Sequence, residues 1–265
     1  MSQGAISADS HITEPPNCYV DYIDPKYRDD APYVAPDNHG GERYVITGME
    51  TTIPLSLVAA AGIEAQKLSS VGKKFSDLHR SGWDATCRAE DQDRDGVAAE
   101  IIYASVGMAI CSHPDWNYQQ ACFEAYNRWL AEFCAEAPNR VFGLAQTGMV
   151  SVEQAIKDFE KAKEMGFVGI MVPGDTRHED YDHPMYDPLW ECAADLELPL
   201  SFHILTSKRG EFQHVLETTR GNKLNGFLNI IRSCQDIIGL FILGGVFERH
   251  PKLKMVCAEA DAGWV

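Results

Sequence analysis

A chain of 265 residues, 45% of them hydrophobic and 10% aromatic, can bury the core of one large α/β domain or of two small ones. Its formal net charge of −16 at pH 7 runs against binding to nucleic acid or to an anionic membrane surface, both of which need basic groups. No nucleic-acid partner and no membrane are therefore expected.

The N-terminal MSQGAISADSH has no basic region followed by an apolar core, so it does not read as a secretory signal. No run approaches the ~18 apolar residues of a membrane span. The eight cysteines include no C-x-x-C pair and read as reduced, buried thiols of a cytoplasmic protein.

Residues 5–11, AISADSH, read as a first strand. Side chains on a strand repeat with a period of two, so Asp9 and His11 point the same way. A carboxylate beside an imidazole can hold a metal, move a proton, or serve only as a structural pair. Residues 12–83 are a long excursion containing HGGERYVITG and the apolar PLSLVAAAG. Loops of this length form lids or interface arms, and a homodimer is the expected oligomer.

After residue 83 strands and helices alternate. Asp84 caps a helix through Arg94, and Gly96 ends it. AAEIIYAS (98–105) is the second strand of this series. Over 117–138, Ala121, Ala125, Trp129 and Phe133 recur at every fourth position, an amphipathic helix. RVFGLAQ (140–146) is a strand. Ser151 and Gln154 form a capping box for a helix that runs to about Met165 and closes at Gly166. FVGIMV (167–172) is a strand, and Asp187-Pro188 opens the helix LWECAADLE. LPLSFHI (198–204) is the fifth strand, a helical region spans 225–249, and LKMVCAEA (253–260) is the sixth strand.

This alternation implies a parallel sheet with function at the C-terminal ends of its strands. The expected fold is α/β of the (β/α)8 TIM-barrel type. It covers 1–265 as a single domain with 12–83 inserted, and about six of the eight βα units are present. The ionisable groups singled out lie at strand ends: Asp9 and His11 on the first, His203 on the fifth, Glu259 and Asp261 after the sixth.

Bland readings stand beside these. His113, His178, His183 and His214 fall in loops and read as solvated, and His250 precedes a proline at a helix end and reads as structural. Glu14, ahead of Pro15-Pro16, orients the first-strand loop. Asp91, Asp93, Arg94 and Asp95 read as a solvated helix face with caps. Lys208 and Arg209 either hold a substrate carboxylate or are solvated loop charges.

Four segments together resemble the amidohydrolase superfamily. They are ADSHITEPP, GWDATCRAEDQDRDGVAAEIIYAS, FHI at 202–204, and GGVFERHPKLKMVCAEADAGW. The branch resembled is "amidohydrolase 2", which holds aminocarboxymuconate-semialdehyde, resorcylate and carboxyvanillate decarboxylases. The resemblance implies a metal-dependent hydrolase fold with one divalent metal, zinc first, manganese or iron as alternatives. Its ligands would be Asp9, His11 and His203, leaving positions open to water or substrate. FVGIMVPGD lacks the lysine that bridges two metals in binuclear members, so a single ion is expected. Glu259 stands where the decarboxylases carry a proton-transfer histidine and is the candidate catalytic residue. Arg209 and Asp261 are the candidate substrate-binding residues. The family's eighth-strand aspartate is not in the sequence, so the chain reads as C-terminally incomplete.

The activity implied is that of a metal-dependent carboxy-lyase acting on a small aromatic or enoic carboxylic acid. One alternative is a hydrolase that uses metal-bound water to cleave a C–C, C–N or C–O bond of a carbonyl substrate. The other is a truncated, non-catalytic homologue.

Overall fold

The structure, a computed structural model, describes residues 4–207, 215 and 217–263, with Lys223 described by its backbone only. The chain divides into two compact units, residues 1–107 with 124–143, and residues 108–123 with 144–265.

In the first unit, β1 (Ala5–His11) pairs in parallel with β5 (Val97–Tyr103), which pairs with the first half of β6 (Val141–Gln146). The register slips between Ser7 and Ser10, which face Glu100 and Ile102 and so leave one extra residue on β1. Such a bulge re-aims side chains beside it, here around Asp9.

Helix α2 (Ala85–Asp95) starts where the sequence places it: the Asp84 side chain accepts from the Cys87 N–H. It ends at Gly96, whose φ of 71° is a left-handed cap that glycine adopts without steric cost. The excursion holds an unanticipated antiparallel sheet, β2 (Tyr33–Pro36), β3 (Glu42–Val45) and β4 (Ile53–Pro54), followed by the single turn α1 (Leu55–Val58). Strands this short carry too little alternation to be read from sequence. Within PLSLVAAAG, Leu55 is buried while Leu57 is exposed.

In the second unit, β6 pairs through its second half with β7 (Gly169–Met171), then come β8 (Leu200–His203) and β9 (Met255–Ala258), all parallel. The strand order β1-β5-β6-β7-β8-β9 follows the chain. Six parallel strands in chain order, with helices between them, are six βα units of the TIM-barrel type. Two helices, α3 (Val106–Ile110) and α4 (Trp116–Glu136), follow β5. Helix α5 (Val152–Glu164) lies between β6 and β7, α6 (Asp187–Asp195) between β7 and β8. Helices α7 (Gly226–Leu243) and α8 (Val246–Arg249) lead into β9.

Three local expectations shift. Ser151 Oγ accepts from the Gln154 N–H, but the Gln154 side chain turns to Asp158, so only half the capping box forms. Asp187 lies inside the first turn of α6 instead of ahead of it. Its carboxylate pairs with Arg249 and His250, at 3.0 and 2.9 Å, which gives His250 the structural role expected of it. The predicted helix over 225–249 breaks at Gly244-Gly245, where Gly245 takes a φ of 71°.

Helix α7 is long and apolar enough to cross a membrane by length and composition, with a mean hydropathy of 1.4 over its 18 residues. A count of consecutive apolar residues misses it because Asn229, Arg232, Ser233, Gln235 and Asp236 interrupt the run. Its buried face carries Ile230, Cys234, Ile237 and Phe241. Phe241 lies 5.4 Å from Trp190 and 5.7 Å from Phe202, ring centre to ring centre, and Tyr181 packs against all three. Buried Tyr181 and Trp190 also spend their polar atoms inside: Tyr181 Oη donates to Pro173 O, and Trp190 Nε1 donates to Tyr181 O.

The eight cysteines are free thiols. Burial pushes Cys122, Cys134 and Cys234 up to about 12, so they stay protonated packing residues.

Phe241 is fully buried at the centre of the aromatic cluster. Phe241→Ala should lower unfolding free energy by about 3–5 kcal/mol, the usual cost of emptying such a site. Urea unfolding of the two proteins checks it.

Candidate metal centre

The expected site residues fall into two pairs, one in each unit. In the first unit, Asp9 and His11 stand at the C-terminal end of β1, with His11 Nε2 3.5 Å from Asp9 Oδ1. In the second, His203 ends β8, and its Nε2 lies 3.5 Å from Glu259 Oε2, just past β9. The other two expected residues contribute less: Asp261 is exposed, and Arg209 lies outside the described residues. His214 and Lys208 lie outside them as well.

Both histidines are oriented alike. His11 Nδ1 is 3.3 Å from Ala104 O, and His203 Nδ1 is 3.0 Å from Ile204 O. A carbonyl oxygen can only accept, so in the neutral ring Nδ1 carries the proton and Nε2 presents its lone pair. In each pair that lone pair faces a carboxylate oxygen. Two electron-rich atoms set toward each other are stabilised by a cation, or by protonation of the ring. A backbone carbonyl on the distal nitrogen is the usual partner of a metal-binding imidazole. The donor set therefore fits a divalent ion.

The supports differ between the units. The His11 carbonyl accepts from Arg88 Nη2 at 3.0 Å, and Arg88 Nη1 donates to Ser81 O. The same guanidinium pairs with Glu100 of β5, both side chains nearly buried. Sequence reading passed over Arg88. Its signal was a charged residue on the inner face of an amphipathic helix, twelve positions before a lone glutamate in an apolar strand. Ile12 N donates to Tyr103 O, Ser105 Oγ donates to Ile12 O, and Thr13 N donates to Gly82 O. A Cβ on Gly82 would stand 2.7 Å from Thr13 Oγ1, so only glycine allows this approach.

Around His203, Thr206 Oγ1 donates to the His203 carbonyl. Leu205, Glu259 and Asp261 have φ of 66°, 54° and 55°, the left-handed region that non-glycine residues seldom adopt. Backbone of this kind clusters at functional sites. Glu259, between the buried Ala258 and Ala260, has a side chain that is 57% exposed. Burial alternates here, with Ala258 and Ala260 inside and Glu259 outside.

His113 departs from expectation, being buried instead of solvated. Its ring packs 4.6 Å from that of Tyr118, and the Asp115 N–H donates to its Nδ1. Glu14 is fully buried. Its Oε1 accepts from the N–H groups of Ser105, Val106 and Gly107, and its carbonyl accepts from Tyr44 Oη. Burial pushes its carboxyl up to about 7, against the lowering effect of those backbone donors.

With this geometry in hand, relatives place the chain. The sequence profile described as Amidohydrolase matches residues 88–265, more than half of its length. The chain belongs to that amidohydrolase family. It is 25% identical over 202 residues to the 2-amino-3-carboxymuconate-6-semialdehyde decarboxylase of Dictyostelium discoideum, covering 75% of this chain and 54% of that protein. It is 36% identical over 146 residues to the gamma-resorcylate decarboxylase of Polaromonas sp. strain JS666, covering 52% and 44%. The chain thus spans about half the length of the curated relatives it matches.

Solved structures share the fold. An amidohydrolase from Mycobacterium avium subsp. paratuberculosis K-10 superposes with a TM-score of 0.77 at 20% identity, over 100% of this chain and 75% of that one. A dihydroxybenzoic acid decarboxylase from Polaromonas sp. JS666, solved with bound manganese and the inhibitor 2-nitroresorcinol, gives 0.55 at 18% identity, over 97% and 65%.

Glu14 yields a sign that can be checked. Its folded pKa lies above the value of 4.5 for a free carboxyl. Its stabilising contribution is therefore complete below about 4.5 and is lost as pH rises through about 7, since the unfolded chain releases the proton first. The slope from this one group is at most ~1.4 kcal/mol per pH unit. Denaturant unfolding across that window should show wild-type stability falling with pH, and Glu14→Gln should flatten the fall.

Proposed function

We propose that Asp9, His11 and His203 hold one divalent cation, and that the chain supplies these groups to a carboxy-lyase acting on a small hydroxylated aromatic acid. Two imidazoles and a carboxylate are a donor set of the kind that holds such an ion. The observation that carries the reading is the shared orientation of the two imidazoles, each with Nδ1 against a carbonyl and Nε2 toward a carboxylate. Zinc suits two imidazoles and a carboxylate. Manganese is the alternative, favoured by the extra negative charge of Asp9 and by its presence in the Polaromonas structure.

The names of the relatives support the reaction class: two are decarboxylases of carboxylic acids bearing amino or hydroxyl groups. When bound, the cation would hold the substrate's carboxylate and an adjacent hydroxyl. As the carbon–carboxylate bond breaks, its electron pair takes a proton at the ring carbon, and CO2 leaves. Glu259 is the group we assign to deliver that proton. Its side chain is exposed, so water reaches it. Arg209 and Asp261 are assigned to the substrate.

Residues 1–265 are read as one TIM-barrel-type domain, with 12–83 as a cover or dimer arm over the substrate end. In support, Tyr44 of the excursion donates to Glu14, three residues beyond the end of β1. Helix α7 is read as a core helix, since Phe241 anchors it in the aromatic cluster. A cytoplasmic protein without a nucleic-acid or membrane partner is the consistent setting.

Metal analysis of the purified chain should give about one equivalent of divalent ion, and His203→Ala should abolish retention. Full retention by His203→Ala would refute the ligand set. In protein that releases CO2 from a dihydroxybenzoate, Glu259→Gln should slow turnover about 10²–10⁴-fold with metal content unchanged. Hydrolysis of an ester or amide without CO2 release would favour the hydrolase reading instead.

A further inference from the structure

The first-strand histidine needs its Nδ1–H held against a carbonyl, and that carbonyl belongs to Ala104, in the turn between β5 and α3. A turn is a poor fixture by itself. This one is gathered from below by a single oxygen: Glu14 Oε1 lies 3.0, 2.9 and 3.3 Å from the N–H groups of Ser105, Val106 and Gly107. Glu14 is completely buried, and its other oxygen, Oε2, has no hydrogen-bond partner among the described residues. A carboxyl group placed this deep, with one oxygen bearing three donors and the other none, is costly to bury. The surrounding arrangement must over-determine it. Glu14 also ends the segment that starts at His11: Ile12 and Thr13 are pinned by Tyr103 and Gly82, and the Glu14 carbonyl by Tyr44. The two ends of the link, His11 and the 104–107 turn, are thus tied through one side chain.

We propose that Glu14 is the positioning residue of the His11 ring: by gathering the N–H groups of Ser105, Val106 and Gly107, it holds the Ala104 carbonyl against His11 Nδ1 and so fixes the tautomer whose Nε2 faces outward as a ligand. Glu14 acts through the turn and touches neither substrate nor cation. The tautomer itself depends only on the geometry above, while its consequence for metal binding rests on His11 being a ligand, as proposed in the preceding section.

Two readouts test this on the full chain. The first is the ¹⁵N NMR signature of the His11 ring in metal-free protein, assigned by its loss in His11→Ala. Wild type should show the Nδ1–H tautomer. Glu14→Asp keeps the carboxyl group but is one methylene too short to reach the three donors, and should give a mixture of tautomers. Glu14→Gln keeps an acceptor oxygen in place and should restore the single tautomer. The second readout is calorimetric titration with Mn²⁺ alone. Partners that orient a metal-binding imidazole are typically worth about 10–100-fold in affinity, so Glu14→Asp should weaken binding by that factor and Glu14→Gln by no more than a few-fold.

A side chain that merely stabilises the fold would lower the melting temperature in Glu14→Asp and leave both readouts of the folded protein unchanged; that result overturns the proposal. So does a failure of Glu14→Gln to restore the tautomer. If Glu14→Asp does not fold, Val106→Pro replaces it. Proline is tolerated at the first position of a helix and removes one of the three donors without touching Glu14. It should also mix the tautomers, and an unchanged His11 signature there overturns the proposal equally. Mn²⁺ binding that survives both His11→Ala and His203→Ala would refute the ligand set, while the tautomer readout would still judge Glu14.

Discussion

A histidine can present only one lone pair at a time, and which nitrogen presents it is decided by what the other nitrogen touches. In this chain both candidate ligands resolve that choice against a backbone carbonyl, Ala104 for His11 and Ile204 for His203. Much of the surrounding structure can be read as the means of keeping those carbonyls still. The β1–β5 pairing brings residue 104 alongside residue 11, Arg88 fixes the His11 carbonyl from the helix side, and Glu14 gathers the turn. On the second unit the carbonyl comes from the next residue, so a tight turn with Leu205 in the left-handed region takes the place of a partner strand.

The two solutions differ in what they demand of the sequence. Holding His11 needs long-range agreement among Arg88, Glu100, Tyr103, Ser105 and Glu14, a buried network in which each polar atom constrains the next. Holding His203 needs only local strain, compensated by the packing of Phe202 into the aromatic cluster. The first is vulnerable to substitution at many positions and the second at few.

Much of the architecture was legible in the sequence because it is written in local signals. Asp84 and Gly96 bracket α2 by capping chemistry, and the fourfold recurrence from Ala121 to Phe133 marks α4. The parallel order followed from the alternation of these elements. Expectation failed where the deciding contact lay outside the local pattern, whether a few residues on or far along the chain. The bulge at Ser7–Ser10 depends on register against β5, which no window of β1 contains. Arg88 looks like any helix arginine until Glu100 and the His11 carbonyl are brought to it. His113 lies in a loop as read, but is buried rather than solvated, with its ring tilted against that of Tyr118. The antiparallel sheet of the excursion is built from strands of two to four residues, whose pairing and not periodicity defines them.

The left-handed backbone at Glu259 also acts as a filter on descent. A position with φ near 54° penalises β-branched and bulky residues, and favours glycine, asparagine, aspartate and histidine among common replacements. An imidazole and a short carboxylate are both tolerated in this conformation, so one can replace the other without rebuilding the strand end. The same geometry closes off valine, isoleucine and threonine as neutral intermediates. Substitution at this position is thus confined to the narrow set of side chains that the turn admits.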